Sequence, residues 1–220
     1  MNTRSDHELL QEMRAHLFTA IIGDVLDLHG YHHQFLMPEC RPLHPGMVVC
    51  GRAMTVFEVD IAEPVDPPFG LMLKALDSMK QDEVYVASGS SATYALWGEL
   101  MSTSARVRGA AGAVLAGFTR DTHAILEMNF PVFCYGSYAK DQKGRGCVAD
   151  FRIPLEIHGV KVKPGDIVFG DIDGVVILPQ EIESDVVAQA MEQVKKEKTA
   201  KRLLLSGASA EDVFGETGVL

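Results

Sequence analysis

The central third of the chain constrains the fold more than any other segment. A helix is predicted from Glu99 to Arg108, because Gly109 is the glycine that commonly follows a helix end. The apolar run of small residues from Ala110 to Ala116 is typical of a buried strand. A second helix is predicted at 122–129 and a short strand at 131–133. Strands that alternate with helices in this way predict an α/β fold built from βαβ-like units.

The rest of the chain continues this alternation. The predicted elements outside the central segment are a helix over residues 6–29 with Asp6 as its N-cap, two successive strands within 47–57, a helix at about 70–79, a strand at 83–87, two strands joined by a turn at 170–174, and a helix at about 180–205. With 220 residues, the chain can bury one core of ordinary size and is too short for two full domains. We therefore predict a single domain over residues 1–220, with an N-terminal helix and a long C-terminal helix.

Charge and composition exclude several classes of protein. The formal net charge is −10 and no long run of lysine and arginine occurs, so a nucleic acid is not expected as a partner. The four cysteines have neither zinc-like nor redox-motif spacing. No apolar run approaches the roughly 18 residues of a membrane span, and the first residues are polar. We expect a cytoplasmic protein that concentrates positive charge locally if it handles an anionic small molecule.

A candidate anion-binding segment, Gly98–Met101, lies where a loop enters a predicted helix. The free backbone N–H groups of the first turn, at Leu100 and Met101, are expected to point outward with the positive end of the helix dipole behind them. We interpret the segment as a substrate carboxylate site. The alternative is that Glu99 only complements the helix dipole, an effect of about 0.3–1 kcal/mol.

Arg120 and Asp121 directly follow an apolar strand, at the position where α/β proteins usually place ligand-binding groups. A guanidinium at the mouth of a buried strand needs an anionic partner, which a substrate or a carboxylate could provide. Asp121 also has a structural interpretation, because aspartate immediately before a helix is a favoured N-cap. On the residues alone, both interpretations of this pair stay open.

Glu197 is a third candidate, on the predicted C-terminal helix. The apolar stripe of that helix passes through Val187, Ala190, Met191 and Val194, and Glu197 occupies the next position on the same face. A charge that interrupts an apolar stripe indicates a functional position. The alternative is that the lysine-rich end of the helix simply projects into solvent.

Several of these segments, taken together and in order, resemble one family. They are Gly98-Glu99-Leu100, Arg106-x-Arg108-Gly109-x-x-Gly112, Gly117-x-x-Arg120-Asp121, Pro131-Val132-Phe133, Gly159-Val160-x-Val162-x-Pro164-Gly165-Asp166 and Asp171-x-Asp173-Gly174-Val175-Val176. Over about Thr19 to Gly207 the chain resembles the 4-hydroxy-4-methyl-2-oxoglutarate aldolases and the related regulators of ribonuclease activity, the RraA-like family. Its members have often been labelled demethylmenaquinone methyltransferases, a label that the resemblance does not support.

The resemblance implies a fold, an assembly and a metal site. The fold is an αββα sandwich of the swivelling β/β/α type, and the assembly is a homotrimer or homohexamer with active sites between subunits. Asp121 resembles the direct ligand of a Mg²⁺ or Mn²⁺ ion. Glu99 and, from a neighbouring subunit, Glu197 resemble carboxylates that hold the waters bound to that ion.

The resemblance also implies a reaction. Arg120 resembles the arginine on the substrate's keto oxygen, and Leu100 and Met101 resemble the amides that hold its carboxylate. The expected activity is metal-dependent cleavage of 4-hydroxy-4-methyl-2-oxoglutarate, or a related 4-hydroxy-2-oxo acid, to pyruvate, with oxaloacetate decarboxylation as a side activity. The alternative is a non-catalytic binding protein like the ribonuclease regulators. A lysine Schiff-base aldolase is not favoured, because the lysines fall in helical or loop segments.

Overall fold

The structure of the protein, a computed structural model, describes residues 5–220. In this range the α-helices are α1 Asp6–His16, α2 Thr19–Leu28, α3 Met72–Asp77, α4 Glu99–Val107, α5 Thr122–Met128, α6 Glu183–Leu205 and α7 Ala210–Thr217, and a 3₁₀ turn, Gln180–Ile182, precedes α6. The strands are β1 Arg41–Pro42, β2 Val49–Asp60, β3 Glu83–Ser88, β4 Ala95–Trp97, β5 Gly112–Leu115, β6 Phe118–Thr119, β7 Val132–Cys134, β8 Gly146–Phe151, β9 Leu155–Ile157, β10 Val160–Val162, β11 Ile167–Asp171 and β12 Gly174–Leu178.

One mixed sheet of eight strands organises the molecule. Its order is β1-β7-β5-β3-β2-β11-β12, and β8 pairs with the distal half of β2. The pairs β2–β3, β3–β5 and β5–β7 are parallel, as the alternation of strands and helices predicts, whereas β11 and β12 form an antiparallel hairpin. Two small sheets, β9–β10 and β4–β6, complete the fold.

Side chains alternate between the two faces of the sheet and so define its layers. On β3, Val84 and Val86 belong to a central core that also contains the inner residues of β11, β12 and the β9–β10 hairpin. The opposite face of β3, with Tyr85 and Ala87, packs under α3, α4 and α5. The outer face of β11 and β12, with Phe169, packs under α1, α2 and α6. Two parts of the sheet therefore enclose one core between two helical layers. The predicted fold class, an α/β fold arranged as an αββα sandwich, is confirmed.

The single N-terminal helix predicted over residues 6–29 is wrong, because the chain is extended at Leu17 and Phe18. The Asp171 carboxylate explains the new helix start. It accepts hydrogen bonds from the Thr19 N–H (2.8 Å) and hydroxyl (2.6 Å), so it caps α2 from the β11–β12 turn. The N-cap of α1 is Ser5 rather than Asp6, since Ser5 and Glu8 form a reciprocal capping box.

The two strands predicted within 47–57 are one continuous strand, β2. Gly51 lies inside β2 and does not end it. A Cβ at this position would lie 2.3 Å from the Asp82 carbonyl oxygen, so the glycine permits a close backbone approach. β4, β8 and α7 were not predicted from the sequence, because they are short or rich in small residues.

None of the helices within residues 5–220 combines the length and the apolar character needed to cross a lipid bilayer.

Candidate functional site

Two short parallel strands bring the predicted site residues together. β4 and β6 pair with Trp97 opposite Thr119, and the Arg120 N–H donates to the Trp97 carbonyl oxygen (3.0 Å). Their carboxyl ends therefore meet at one edge, where β4 leads into α4 and β6 leads into α5. A cavity of about 340 Å³ opens there, and Gly98, Leu100, Met101, Arg120 and Asp121 line it. Five of the seven predicted site residues thus share one cavity.

Asp121 caps the helix across the cavity instead of its own. It occupies the N-cap position of α5, but its side chain makes no capping hydrogen bond there. Its Oδ2 atom instead accepts from the Glu99 N–H at the start of α4 (3.3 Å). The backbone of Asp121 is left-handed (φ 56°), a conformation that aspartate tolerates better than most residues but that still stores strain. The simple N-cap interpretation of Asp121 therefore fails in this structure.

Gly98 permits this close approach of carboxylate and helix. A Cβ on Gly98 would lie 2.7 Å from Asp121 Oδ2. Below Gly98, the buried Trp97 indole donates to Ser102 Oγ (2.6 Å), and that hydroxyl donates to the Gly98 carbonyl oxygen (3.1 Å). The start of α4 is held rigidly against the core as a result.

The first turn of α4 presents free backbone donors to the cavity. In the described part of the chain, the N–H groups of Leu100 and Met101 have no hydrogen-bond partner, as expected for the first turn of a helix. The Leu100 side chain is 81% exposed at the rim. Glu99 is also exposed, but its side chain does not line the cavity.

Arg120 lies between two carboxylates. Its Nε atom is 3.5 Å from Asp121 Oδ2 and its Nη1 atom is 3.1 Å from Asp141 Oδ1. Within residues 5–220, its Nη2 atom has no partner, so one arm of the fork is free for a ligand. Asp141 was not predicted from the sequence, because it lies in the loop before β8, 21 positions from Arg120.

A buried acid and amide lie behind this loop. Gln142 lines the cavity, and its side-chain amide donates to Glu58 Oε2 (2.5 Å). Burial raises the pKa of Glu58 to about 8, against the opposing effect of the Gln142 hydrogen bond. Sequence reasoning missed both residues. One signal was present, since Glu58 is a charged residue on the same face of β2 as the buried Met54 and Val56.

Glu197 does not belong to this cavity within one chain. It lies half-buried on α6 and lines a separate cavity of about 420 Å³ together with His16, Phe18 and Leu220. Burial, and then the Asp24 carboxylate, raise the pKa of Glu197. Its contribution to a neighbouring subunit's site stays a prediction.

The residues present suit a hard divalent cation held by few protein ligands. Among residues 5–220, no group of three or more histidine, cysteine, aspartate or glutamate side chains is arranged to hold a metal ion, so a closed protein cage is not formed. The Asp121 carboxylate is partly exposed, and its Oδ1 atom has no partner in the described chain. One or two carboxylates completed by water are the usual way of holding Mg²⁺. The donor set therefore fits Mg²⁺ or Mn²⁺.

Comparisons with known proteins agree with this architecture. A protein of Legionella pneumophila named DlpA is 30% identical over 88% of this chain, which spans only 31% of DlpA. A Halalkalibacterium halodurans protein named "Putative 4-hydroxy-4-methyl-2-oxoglutarate aldolase" is 29% identical over 87% of each chain. The solved structure of an uncharacterised Pseudomonas syringae protein superposes with a TM-score of 0.84 at 28% identity, covering 97% of this chain and 95% of the other. The model of the RraA-like family, described as Aldolase/RraA, matches residues 19–177, and the chain belongs to that family.

Proposed function

We propose that the protein is a lyase that releases pyruvate from a 4-hydroxy-2-oxo acid with the help of a divalent cation. One observation carries the proposal: the free donors of α4, the free arm of Arg120 and the Asp121 carboxylate face the same cavity. This combination suits a ligand with a carboxylate and an adjacent carbonyl oxygen. Pyruvate and its aldol adducts have these two groups next to each other.

The substrate's carboxylate would accept hydrogen bonds from the Leu100 and Met101 N–H groups, where the helix dipole adds to the attraction. Arg120 would place its free Nη2 atom on the keto oxygen. When the bond between C3 and C4 breaks, the C4 hydroxyl loses its proton and becomes a carbonyl, and C3 takes up a proton to become the methyl group of pyruvate. Negative charge develops on the keto oxygen during this step, and Arg120 would stabilise it.

A divalent cation bound by Asp121 would supply Lewis-acid stabilisation of the same charge. Glu99, and Glu197 from a neighbouring subunit, would hold water molecules around it. Decarboxylation of oxaloacetate passes through the same enolate, so this activity should accompany aldol cleavage.

A non-catalytic binding protein is the competing candidate, because the family description includes RraA as well as aldolases. The strained Asp121 favours the enzyme. The Asp121 carboxylate leaves its own helix uncapped and lines the cavity in spite of a left-handed backbone, which supports a role for this side chain in ligand binding.

Removal of divalent metal should abolish activity. Purified protein treated exhaustively with EDTA is expected to release no pyruvate from 4-hydroxy-2-oxo acids and to leave oxaloacetate decarboxylation at its uncatalysed rate. Mg²⁺ or Mn²⁺ should restore both reactions above the rate that the metal ion gives without the protein. A coupled lactate dehydrogenase assay measures the pyruvate formed. Undiminished turnover after EDTA, or trapping of the substrate on the protein by borohydride, would contradict the proposed chemistry.

Mixing two inactive variants tests whether subunits share sites. If Glu197 completes a neighbour's site in a trimer, Glu197→Gln and Asp121→Asn subunits exchanged at equal ratio should recover up to about a quarter of wild-type activity. Each site in a ring takes one residue from each of two neighbouring subunits. At an equal ratio of the two variants, both of these residues are therefore intact in about a quarter of the sites. Light scattering should show a trimer or hexamer. A fully active monomer, or no recovery after verified subunit exchange, would refute the shared site.

A further inference from the structure

Gln142 and Glu58 form a buried polar pair at the floor of the cavity. Gln142 directly follows Asp141, whose carboxylate lies 3.1 Å from Arg120 Nη1. Its side chain lines the cavity, and its Nε2 atom donates to Glu58 Oε2 (2.5 Å). Gln142 is only 3% exposed and Glu58 is fully buried. Because their own chain encloses both residues, this contact does not depend on what a neighbouring subunit places at the rim.

Glu58 is a costly residue at its position in the sheet. The pairing of β2 with β8 shifts register between Phe57 and Glu58, and such bulges often re-aim a side chain next to a functional site. Within residues 5–220, the Glu58 Oε1 atom and the buried Tyr85 hydroxyl lack hydrogen-bond partners, which destabilises the native state. The hydrogen bond that Glu58 does form goes to a residue of the cavity, which supports a role in ligand binding.

The contact with Glu58 orients the side-chain amide of Gln142. Since Nε2 faces Glu58, Oε1 is the end that is left for a ligand. In the described part of the chain, this oxygen accepts no hydrogen bond, and it is not among the polar atoms that are enclosed without a partner. Gln142 Oε1 therefore keeps contact with the cavity and is free to accept a hydrogen bond.

We infer that Gln142 is a further substrate-binding residue, whose Oε1 atom accepts a hydrogen bond from the C4 hydroxyl group of a 4-hydroxy-2-oxo acid, and that Glu58 is the positioning residue that holds this amide. The inference rests on the proposed function for the placement of the substrate. With the keto oxygen on Arg120 Nη2, C4 lies only two carbons from the keto carbon, and Asp141 on the other arm of Arg120 brings Gln142 alongside. Gln142 would orient the hydroxyl group and would not take up its proton.

A matched pair of ligands tests the contact without turnover. 2,4-Dihydroxybutanoate and 2-hydroxybutanoate differ only in the C4 hydroxyl group, and neither has the 2-oxo group that cleavage needs. In calorimetric titrations with Mg²⁺ present, the wild-type protein should bind 2,4-dihydroxybutanoate roughly threefold to tenfold more tightly, the effect of one hydrogen bond. Gln142→Met should bind both ligands equally. Equal affinities in the wild type, no binding of either ligand, or an unchanged preference in Gln142→Met would overturn the inference.

Turnover separates this contact from a structural role of Gln142. Oxaloacetate has no hydroxyl group at C4, so Gln142→Met should lower kcat/KM for cleavage of 4-hydroxy-2-oxo acids at least about tenfold without lowering that for oxaloacetate decarboxylation. Gln142→Asn, whose amide is one carbon shorter, should show the same selective loss. Gln34→Met should change neither reaction, because Gln34 bonds the Ile177 carbonyl oxygen and does not line the cavity. An equal fall of both reactions in the Gln142 variants would contradict the inference.

The positioning role of Glu58 predicts a dependence on pH. Ionised Glu58 only accepts hydrogen bonds and so fixes Nε2 toward itself, whereas protonated Glu58 can also donate to Oε1 and hold the amide the other way round. Burial raises the pKa of Glu58 to about 8, so the preference for 2,4-dihydroxybutanoate should increase between about pH 7 and pH 9.

The other titratable groups near Glu58 should not change charge over this range. Burial raises the pKa of Tyr85, Tyr94 and Cys147, so these three groups stay largely protonated. Asp60, which accepts from the Tyr94 hydroxyl (2.8 Å), stays ionised.

Glu58→Gln removes this titration. Glutamine is neutral at every pH used and can still bond the Gln142 amide, so the variant should bind 2,4-dihydroxybutanoate with a preference that does not change with pH. A preference that still rises in Glu58→Gln, or one that is constant in the wild type, would show that Glu58 does not position Gln142. Hydroxyl-selective binding without pyruvate release from any substrate would overturn the proposed function but support the inference. Pyruvate release that Gln142→Met leaves unchanged would do the reverse.

Discussion

Replacement of Arg120 by lysine is expected to lower kcat for pyruvate release by roughly 10²–10³, the range seen when one oxyanion-stabilising donor is removed. Arginine contacts Asp121 and Asp141 through two of its nitrogens and keeps a third for the substrate oxygen. Lysine has a single ammonium group, which the two carboxylates would attract away from the substrate. Steady-state kinetics over a range of Mn²⁺ concentrations measures the effect, and the metal dependence should stay close to that of the wild type.

Asp121→Asn is the variant to compare with Arg120→Lys, because it should change metal binding instead of turnover at saturating metal. Asparagine tolerates the left-handed backbone of position 121 as well as aspartate does, so the fold should be kept. An amide oxygen is a poorer ligand for a hard cation than a carboxylate, so the variant should need more metal and recover part of its activity at high Mn²⁺. If Asp121→Asn kept both the turnover and the metal dependence of the wild type, the proposed metal site would be wrong and the non-catalytic alternative would be favoured.

Glu58→Gln is expected to make the protein more stable at pH 8 by up to roughly 5 kcal/mol. Burial raises the pKa of Glu58 from 4.5 to about 8, and every tenfold change in an ionisation constant corresponds to about 1.4 kcal/mol. When folding raises the pKa of a carboxyl group, the group makes its full contribution to native-state stability at pH values below its pKa in the unfolded chain. It loses that contribution as the pH rises toward the folded pKa. The wild type should therefore lose stability between about pH 4.5 and pH 8. The Glu58→Gln variant should show no such loss, because glutamine is neutral over this range.

Urea unfolding at several pH values measures this difference, with Glu83→Gln as the control. Glu83 is also a nearly buried glutamate of the sheet, but Arg152 donates to both of its oxygens, at 2.6 and 2.8 Å. Loss of that paired charge should destabilise the protein at neutral pH, the opposite sign from Glu58→Gln. Parallel pH profiles for the wild type and Glu58→Gln would show that Glu58 is not protonated on folding.

The sequence predicted those parts of the site that depend on neighbours along the chain. The start of α4 at Glu99 and the position of Arg120 and Asp121 after a strand follow from local signals. These are a glycine before a helix, a small-residue apolar run and the spacing of apolar positions. The site residues could be proposed from local signals alone. The start of a helix has free N–H groups, and the end of a strand exposes the side chains that follow it.

The predicted resemblance to the RraA-like family is confirmed by the match over residues 19–177. The αββα sandwich is confirmed by the arrangement of its layers. The roles of individual residues, the metal and the trimer stay predictions, because they depend on ligands and on a second subunit. Glu197 shows this most clearly, since its own chain places it in a different cavity.

By itself, the sequence determined the class of fold, the family and the two turns that carry the site, because periodicity and turn chemistry are local properties of a chain. Only the tertiary structure decided which groups meet. Asp171 breaks the N-terminal helix from 152 positions away, Asp121 caps α4 rather than α5, and Gln142 bonds Glu58 across 84 positions. Such contacts depend on how strands pair and how tightly backbones approach. Because these distances are set by the packing of the whole core, no local pattern encodes them.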